Sequence, residues 1–405
     1  MFGPFKDRAR NAATAVIDIG TGGVGFSLVR LRRDGPPEIL YAERALLAVR
    51  ENRSRERLIA DIVRTLPEGL RTLAAHAVAR EWGFPLHVAL VFAAPWARVV
   101  LSSVRMARTN PFVLTKEVLG RMAADEQRRL SATSIPEGYV LAEQVMTGLS
   151  LNGYRTDTIP SSAVETAEFT LWKTGVDGGL YERIAHALED FFPDAKVTCH
   201  SLALTSFFAI GLSFPHSRSF LSVEVGAEMT EVLFVHDGTP RAIGLFPQGQ
   251  NQILRTLAAH GLTPFEATTA LRLAHDDSLR MQRELSAALS GAAEDWRAAL
   301  RDVALSLTEG SILPQQVFLT APKESLFWFE DMLKTEPLLR RAGHAPAVIA
   351  LEGKSFSAGL TLKAGGVSGA VASAAVFLDR RFDEQKTLDF STHLSVAAPF
   401  STYAE

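Results

Sequence analysis

The sequence predicts a duplicated α/β fold, two similar halves facing each other across a cleft. Two stretches and the chain length predict it. The first stretch is an apolar run, Ala15-Val16-Ile17-Asp18-Ile19, with one carboxylate inside it. Gly20-Thr21-Gly22-Gly23 follow as a tight turn, and Phe26 to Arg30 alternate at strand period. The second stretch repeats that shape: Phe220 to Val225 with Glu224 inside, a small turn at Gly226-Ala227, then a strand from Thr230 to Val235. A strand–acid–turn–strand unit that recurs so far along the chain is the mark of a duplicated fold. A length of 405 residues also exceeds the usual single-domain size.

The chemistry of the first stretch suits a phosphate. Glycines let a turn take positive φ and bring backbone N–H groups close to an anion. A carboxylate at the end of a strand can hold a hydrated Mg²⁺ beside it. The lysine and Ser/Thr ending of the common phosphate loop is missing, and so is the dinucleotide glycine spacing ahead of a helix. A hairpin whose glycines serve turn geometry alone is the alternative.

Taken together, the two stretches resemble the actin-like ATPase superfamily, in its FtsA and PilM branch. Asp18-Ile19-Gly20-Thr21-Gly22 matches the first phosphate motif. Glu224-Val225-Gly226-Ala227-Glu228-Met229-Thr230-Glu231 aligns with the second, where the family has Asp-x-Gly-Gly-Gly-Thr-x-Asp. Met1-Phe2-Gly3-Pro4-Phe5-Lys6 is similar to the short leader of PilM proteins. The resemblance implies two RNase H-like (actin-like) half-domains around a nucleotide cleft, with an inserted small α+β subdomain. It divides the chain into 1–85 as the start of the first half, 86–175 as the insertion and 176–215 as the completion of the first half. Residues 216–382 form the second half, with a helical subdomain at 250–312, and 383–405 form a tail. The implied cofactors are ATP and Mg²⁺. Asp18 is the metal contact, and the nucleotide site is Asp18, Gly20, Thr21, Gly22, Gly23, Glu224, Gly226 and Thr320.

In chain order, Asp34-Gly35-Pro36-Pro37 is a turn and Glu38 to Ala48 a strand. Arg55 to Trp82 reads as a helix with its apolar face at Leu58, Ile62, Leu66, Leu70, Leu73 and Ala77, kinked or divided at Pro67. Leu86 to Phe92 is a buried strand, and Ala97 to Met106 returns from the turn at Pro95. A helix at Leu114 to Leu130 and strands at Tyr139 to Leu149, Tyr154 to Thr158 and Ala163 to Trp172 follow, in the order of the family's insertion. In PilM-like proteins that insertion lies against a groove that accepts a short peptide from a membrane-anchored partner.

Tyr181 to Phe192 is a helix, and Val197-Thr198-Cys199-His200 a short strand into the helix Leu202 to Gly211. His200 sits where the family places a water-activating side chain, so it is a candidate base, with packing as the other reading. Cys199 reads as a small core residue. Glu228 places a carboxylate where phosphate oxygens approach in the family, and Glu224 and Glu231 replace aspartates. Like charges oppose binding there, so weak turnover is expected, and Glu224 is the remaining catalytic candidate. Helices at Asn251 to His260, Thr263 onward (with a Thr263–Glu266 capping box) and Leu279 to Leu307 make the helical subdomain. Gln316 to Thr320 leads into Ala321-Pro322-Lys323, where the family's adenosine motif has glycines. Phe327 to Leu333 is a helix, Ala347 to Leu351 a strand, and Ser368 to Phe377 a small-residue helix.

Composition narrows the function. A net charge of -3 does not point to nucleic acid. One cysteine excludes an internal disulfide framework and fits a reducing compartment. No apolar run is long enough to span a membrane. The leader 1–11 has no secretory core and reads as a frayed terminus, the alternative being that Phe2 and Phe5 beside Lys6, Arg8 and Arg10 graze an anionic membrane surface; the tail 386–405 shows no amphipathic membrane helix. The expectation is a cytoplasmic PilM-like scaffold of a type IV pilus or similar machine, peripheral at the inner membrane. Its partner would be the short cytoplasmic peptide of a single-pass, PilN-like protein, with self-association open. ATP binding is allowed and hydrolysis weak. An active Mg²⁺-dependent ATPase and an FtsA-like filament-forming division protein are the alternatives.

Overall fold

The computed structural model describes residues 13–32, 34–49, 54–130, 135–156, 159, 161–273, 283–308 and 312–382. The leader 1–11, the tail 383–405 and the expected helix start at Leu279 lie outside the described residues.

Three sheets carry the fold. The first contains β1 (Thr14–Ile19), β2 (Gly23–Arg30), β3 (Glu38–Leu46), β4 (His87–Phe92), β9 (Lys196–Ser201) and the short β15 (Thr361–Leu362), in the order β15-β3-β2-β1-β4-β9. The second contains β10 (Phe220–Val225), β11 (Thr230–His236), β12 (Thr239–Phe246), β13 (Gln316–Thr320) and β14 (Ala347–Ala350), in the order β12-β11-β10-β13-β14. The third contains β5 (Ala97–Val113), β6 (Tyr139–Leu151), β7 (Tyr154–Arg155) and β8 (Ala163–Asp177), in the order β5-β8-β6-β7. The described helices are α1 (Arg55–Ala79), α2 (Lys116–Leu130), α3 (Gly178–Phe191), α4 (Leu202–Ser213), α5 (Gln250–Ala259), α6 (Pro264–Leu273), α7 (Arg283–Thr308), α8 (Leu326–Thr335) and α9 (Gly369–Phe382).

The duplication is explicit in the pairing. β3, β2 and β1 are antiparallel neighbours, and β4 and β9 then join in parallel. β12, β11 and β10 are likewise antiparallel, and β13 and β14 join in parallel. Asp18 and Glu224 occupy the same place, one residue before the end of each innermost strand.

Apolar faces decide the layering. Ile17, Ile19 and Phe26 pack under α1 and α3. The other face of the first sheet, at Val16, Ala89 and Val91, meets α4 and α9, which also touch Phe220, Val235 and Phe318 of the second sheet. The second sheet's far face carries α5, α6, α7 and α8 around Trp296 and Phe329. The third sheet is covered by α2 through Leu119, Met122 and Ala123. Turn chemistry follows residue type: Asn152 and Gly153 both take positive φ between β6 and β7, as do Asp237 and Gly238 between β11 and β12.

Some elements depart from the expectation. β4 pairs in the first sheet between β1 and β9, although residues from 86 onward were assigned to the insertion; the separate third sheet begins at Ala97. β15 and α9 pack on the first sheet although they lie within 216–382. α1 runs unbroken through Pro67, because Ile62, Leu66, Leu70 and Leu73 are buried on both sides of it. That burial outweighs the one helix hydrogen bond proline forfeits. β5 and β8 extend well past their expected ends, since each supplies the other's ladder bonds.

Candidate functional site

The two turns meet at the middle of the molecule. In the first, the Gly20 N–H donates to the Gly23 carbonyl at 3.1 Å and the Leu47 N–H to the Gly22 carbonyl at 3.0 Å. Thr21 is buried, and its Oγ1 accepts the Glu228 N–H at 3.1 Å. A methyl built on Gly22 would stand 2.7 Å from the Ala227 Cβ, so the turns touch. In the second turn, the Gly226 N–H donates to the Met229 carbonyl at 2.8 Å. The N–H groups of Gln250 and Asn251, the first turn of α5, donate to the carbonyls of Gly226 and Ala227 at 3.0 and 2.8 Å. A helix N-terminus is where an anion binds most readily; here the second turn's own carbonyls take its donors.

Asp18 is buried beneath these turns and paired with the Arg44 guanidinium. Register explains how Arg44 reaches it. Gly25 is the Cα partner of Asp18 on β1 and of Arg44 on β3. A Cβ built on Gly25 would lie 3.3 Å from Asp18 Oδ2 and 3.4 Å from Arg44 Nη1. The bare glycine lets the guanidinium cross its strand to the carboxylate. Arg44 Nη2 also donates to the Gly23 carbonyl at 3.3 Å.

Glu224 and Glu231 are Cα partners on β10 and β11, with Thr320 beside Glu224 on β13. Burial holds the Glu224 carboxyl well above the usual carboxylate range, and the charges of Glu231 and Asp18 push it further; Arg44 pulls against them. Burial pushes Glu231 up to about 7, against the pull of Arg98 on β5. Arg98 belongs to the inserted sheet, so charges from all three sheets meet at this floor.

Glu228 and His200 are both held by side-chain partners. The Glu228 carboxylate is paired rather than left bare towards a phosphate. Arg255 and Asn251 on α5 hold it, at 3.0 Å from Arg255 Nη2 and 2.7 Å from Asn251 Nδ2, because a guanidinium and an amide on the adjoining helix pair with it. His200 lies two strands from Asp18, across β4. Its Nδ1 is 2.7 Å from Glu143 Oε1, its Nε2 is 3.0 Å from Thr198 Oγ1, and its ring lies edge-on to Phe377. The ring is a buried tie between the first and third sheets, which is the packing alternative. The sheets thus bring Asp18, Gly20, Thr21, Gly22, Gly23, Glu224, Gly226 and Thr320 to one place and leave His200 apart. Lys323 is exposed, and the Ser325 hydroxyl donates to Gln250 Oε1 at 2.7 Å. Burial pushes the Cys199 thiol up to about 12, so it acts as packing.

The Mg²⁺–nucleotide implied by the resemblance does not fit these contacts. Arg44 holds the carboxylate a cation would need, the turns touch where phosphate would pass, and the N–H groups of Gly20, Gly226, Glu228, Gln250 and Asn251 are engaged. Among the described residues no group of three His, Cys, Asp or Glu side chains is placed to hold a metal. Arg44, Arg98, Arg255 and Glu143 escaped the sequence reading. Only Arg44 had a local signal, a glycine inside a strand beside an aspartate, which marks a close approach.

Two halves of matching strand order that meet through paired acid-bearing turns define the class as the actin-like ATPase fold. Among solved structures, the chain is similar to the PilM–PilN type IV pilus biogenesis complex, with 14% identity, a TM-score of 0.55, and cover of 92% of this chain and 99% of that one. It is also similar to an actin-like ATPase fold protein from Bacteroides thetaiotaomicron, with 14% identity, cover of 86% and 93%, and a TM-score of 0.41. A third is the ethanolamine utilization protein EutJ from Carboxydothermus hydrogenoformans, with 14% identity, cover of 90% and 89%, and a TM-score of 0.45. No protein-family model matches the chain, and no curated protein matches it. Among the described residues no helix is long and apolar enough to cross a membrane.

Proposed function

We propose that this chain is an actin-fold scaffold of PilM type, which docks the short cytoplasmic peptide of a single-pass inner-membrane protein and so sits at that membrane through its partner. The observation that carries this reading is the seat of the inserted sheet. Thr174 Oγ1 on β8 meets Ser201 Oγ of the first half at 3.2 Å, and Arg155 on β7 donates to the Asp237 carbonyl of the second. An inserted sheet joined to both halves, which gives the floor only the charge of Arg98, supports a docking role. The likeness to a PilM chain solved with its PilN partner supports the same assignment. Catalysis is not included in the proposal, because His200 is tied to Glu143 and burial holds the Glu224 carboxyl well above the usual carboxylate range.

The test is affinity capture from detergent-solubilised membranes with the immobilised chain. The expected result is recovery of a single-pass membrane protein, competed away by a synthetic peptide of its cytoplasmic tail. Recovery of soluble proteins alone overturns the reading.

A further inference from the structure

We propose that Arg44 is a resident cation standing in for the metal at Asp18. With Thr21 and Glu228 it turns the phosphate site into a permanent fastening between the halves, so the cleft takes no nucleotide and needs none to stay closed.

The placement of Arg44 is the first support. Its guanidinium lies over Gly25 onto a carboxylate whose side chain is 3% exposed. Any larger residue at 25 would stand between them. In the second half, the matching row runs Leu245–Glu231–Glu224, with no cation at the corresponding place on β12. The arginine is therefore not a requirement of the strand order; it answers the buried charge of Asp18.

The second support is the closure of the turns. Glu228 gives its N–H to Thr21 while Arg255 and Asn251 hold its side chain, so the bond across the cleft is anchored at both ends. Gly22 and Ala227 are in contact, and Gly249 packs so tightly that a Cβ there would lie 2.4 Å from the Gly226 carbonyl. A polyphosphate would have to push the touching turns apart and lift Arg44 from Asp18. Of the donors that could repay this, the N–H groups of Glu228, Gln250 and Asn251 already have acceptors.

Calorimetric titration and thermal melting of the whole chain test this, with Mg-ATP, Mg-ADP, ATP in EDTA and MgCl₂ alone as probes. For the unaltered chain we expect no binding heat and no shift of the melting midpoint with any of them. Binding of either nucleotide, with or without metal, overturns the proposal. Arg44→Ala should melt lower, and MgCl₂ alone should raise its midpoint but not that of the unaltered chain. A midpoint equal to the unaltered chain's, or one indifferent to Mg²⁺, overturns the replacement. Should Arg44→Ala fail to fold, two variants carry the test. Arg44→Lys keeps the positive charge and should ignore Mg²⁺. Thr21→Val removes the bond across the cleft and should lower the midpoint without creating a nucleotide response. The opposite result in either overturns the fastening. No arm uses a partner protein, so failure here leaves the docking reading standing, and failure of the capture leaves this one.

Discussion

The two sheets run the same strand order but balance charge in opposite ways. In the first, the row across β3, β2 and β1 reads Arg44–Gly25–Asp18 and neutralises itself. In the second, the corresponding row reads Leu245–Glu231–Glu224, and two carboxyls stand side by side. Their balance comes from retained protons and from Arg98 on a different sheet. The ladder is a backbone property, indifferent to which side chains it carries. The site depends on side chains, and these have diverged between the halves. A duplicated fold can therefore keep its strand order while its two rows carry different charges.

The comparison can be broken most sharply at the first row. Arg44→Ala leaves Asp18 buried without its cation and should cost about 2–4 kcal/mol of unfolding free energy, allowing for the partial exposure of the guanidinium. The matching change in the second row, Leu245→Ala, removes a half-buried apolar side chain and should cost only about 1 kcal/mol. Urea unfolding of both variants measures the contrast, and equal losses would erase it.

The next effect belongs to the second row. Glu231 releases its proton at about 7 in the folded chain, against 4.5 for the ordinary group. The folded state thus keeps a proton that the unfolded chain gives up. Stability is full below 4.5 and falls as pH rises towards 7, by up to about 3 kcal/mol at ~1.4 kcal/mol per pH unit. Glu224 is raised as well and adds in the same direction. Unfolding midpoints across that window should decline, and Glu231→Gln should make the decline shallower, leaving the slope that Glu224 contributes. A slope unchanged by that substitution would remove the second row as its source.

Smaller effects test the joint between the halves. Gly22→Ala drives a methyl into Ala227 and should cost about 1–3 kcal/mol by overpacking. Thr21→Val removes the hydrogen bond that joins the turns and should cost about 1 kcal/mol. Loss of stability in both, read by urea unfolding, sharpens the picture of the turns as a fastening. A stabilised Gly22→Ala would show that the turns stand apart.

Much of the architecture was legible because the signals were local. Asp18 and Glu224 stood out as lone carboxylates inside apolar runs, and the glycine turns after them set the hairpins. The capping box at Thr263 and Glu266 also forms, with the Thr263 N–H to Glu266 Oε2 at 2.8 Å. The extent of β5 and β8 was not legible, because a strand ends where its partner ends. Nor was the destination of Glu228. Its carboxylate reads as facing a phosphate until α5 is seen to bring Arg255 beside it.

The sequence by itself determined the two recurring strand–acid–turn–strand units and the identity of their turns, since both follow from hydrophobic period and glycine placement along a few residues. Only the tertiary structure decided that those turns touch and that Asp18 carries an arginine. It also decided that His200 ties two sheets together. Each is a meeting of side chains far apart in the chain, and strand register and helix packing select the partners where local pattern cannot.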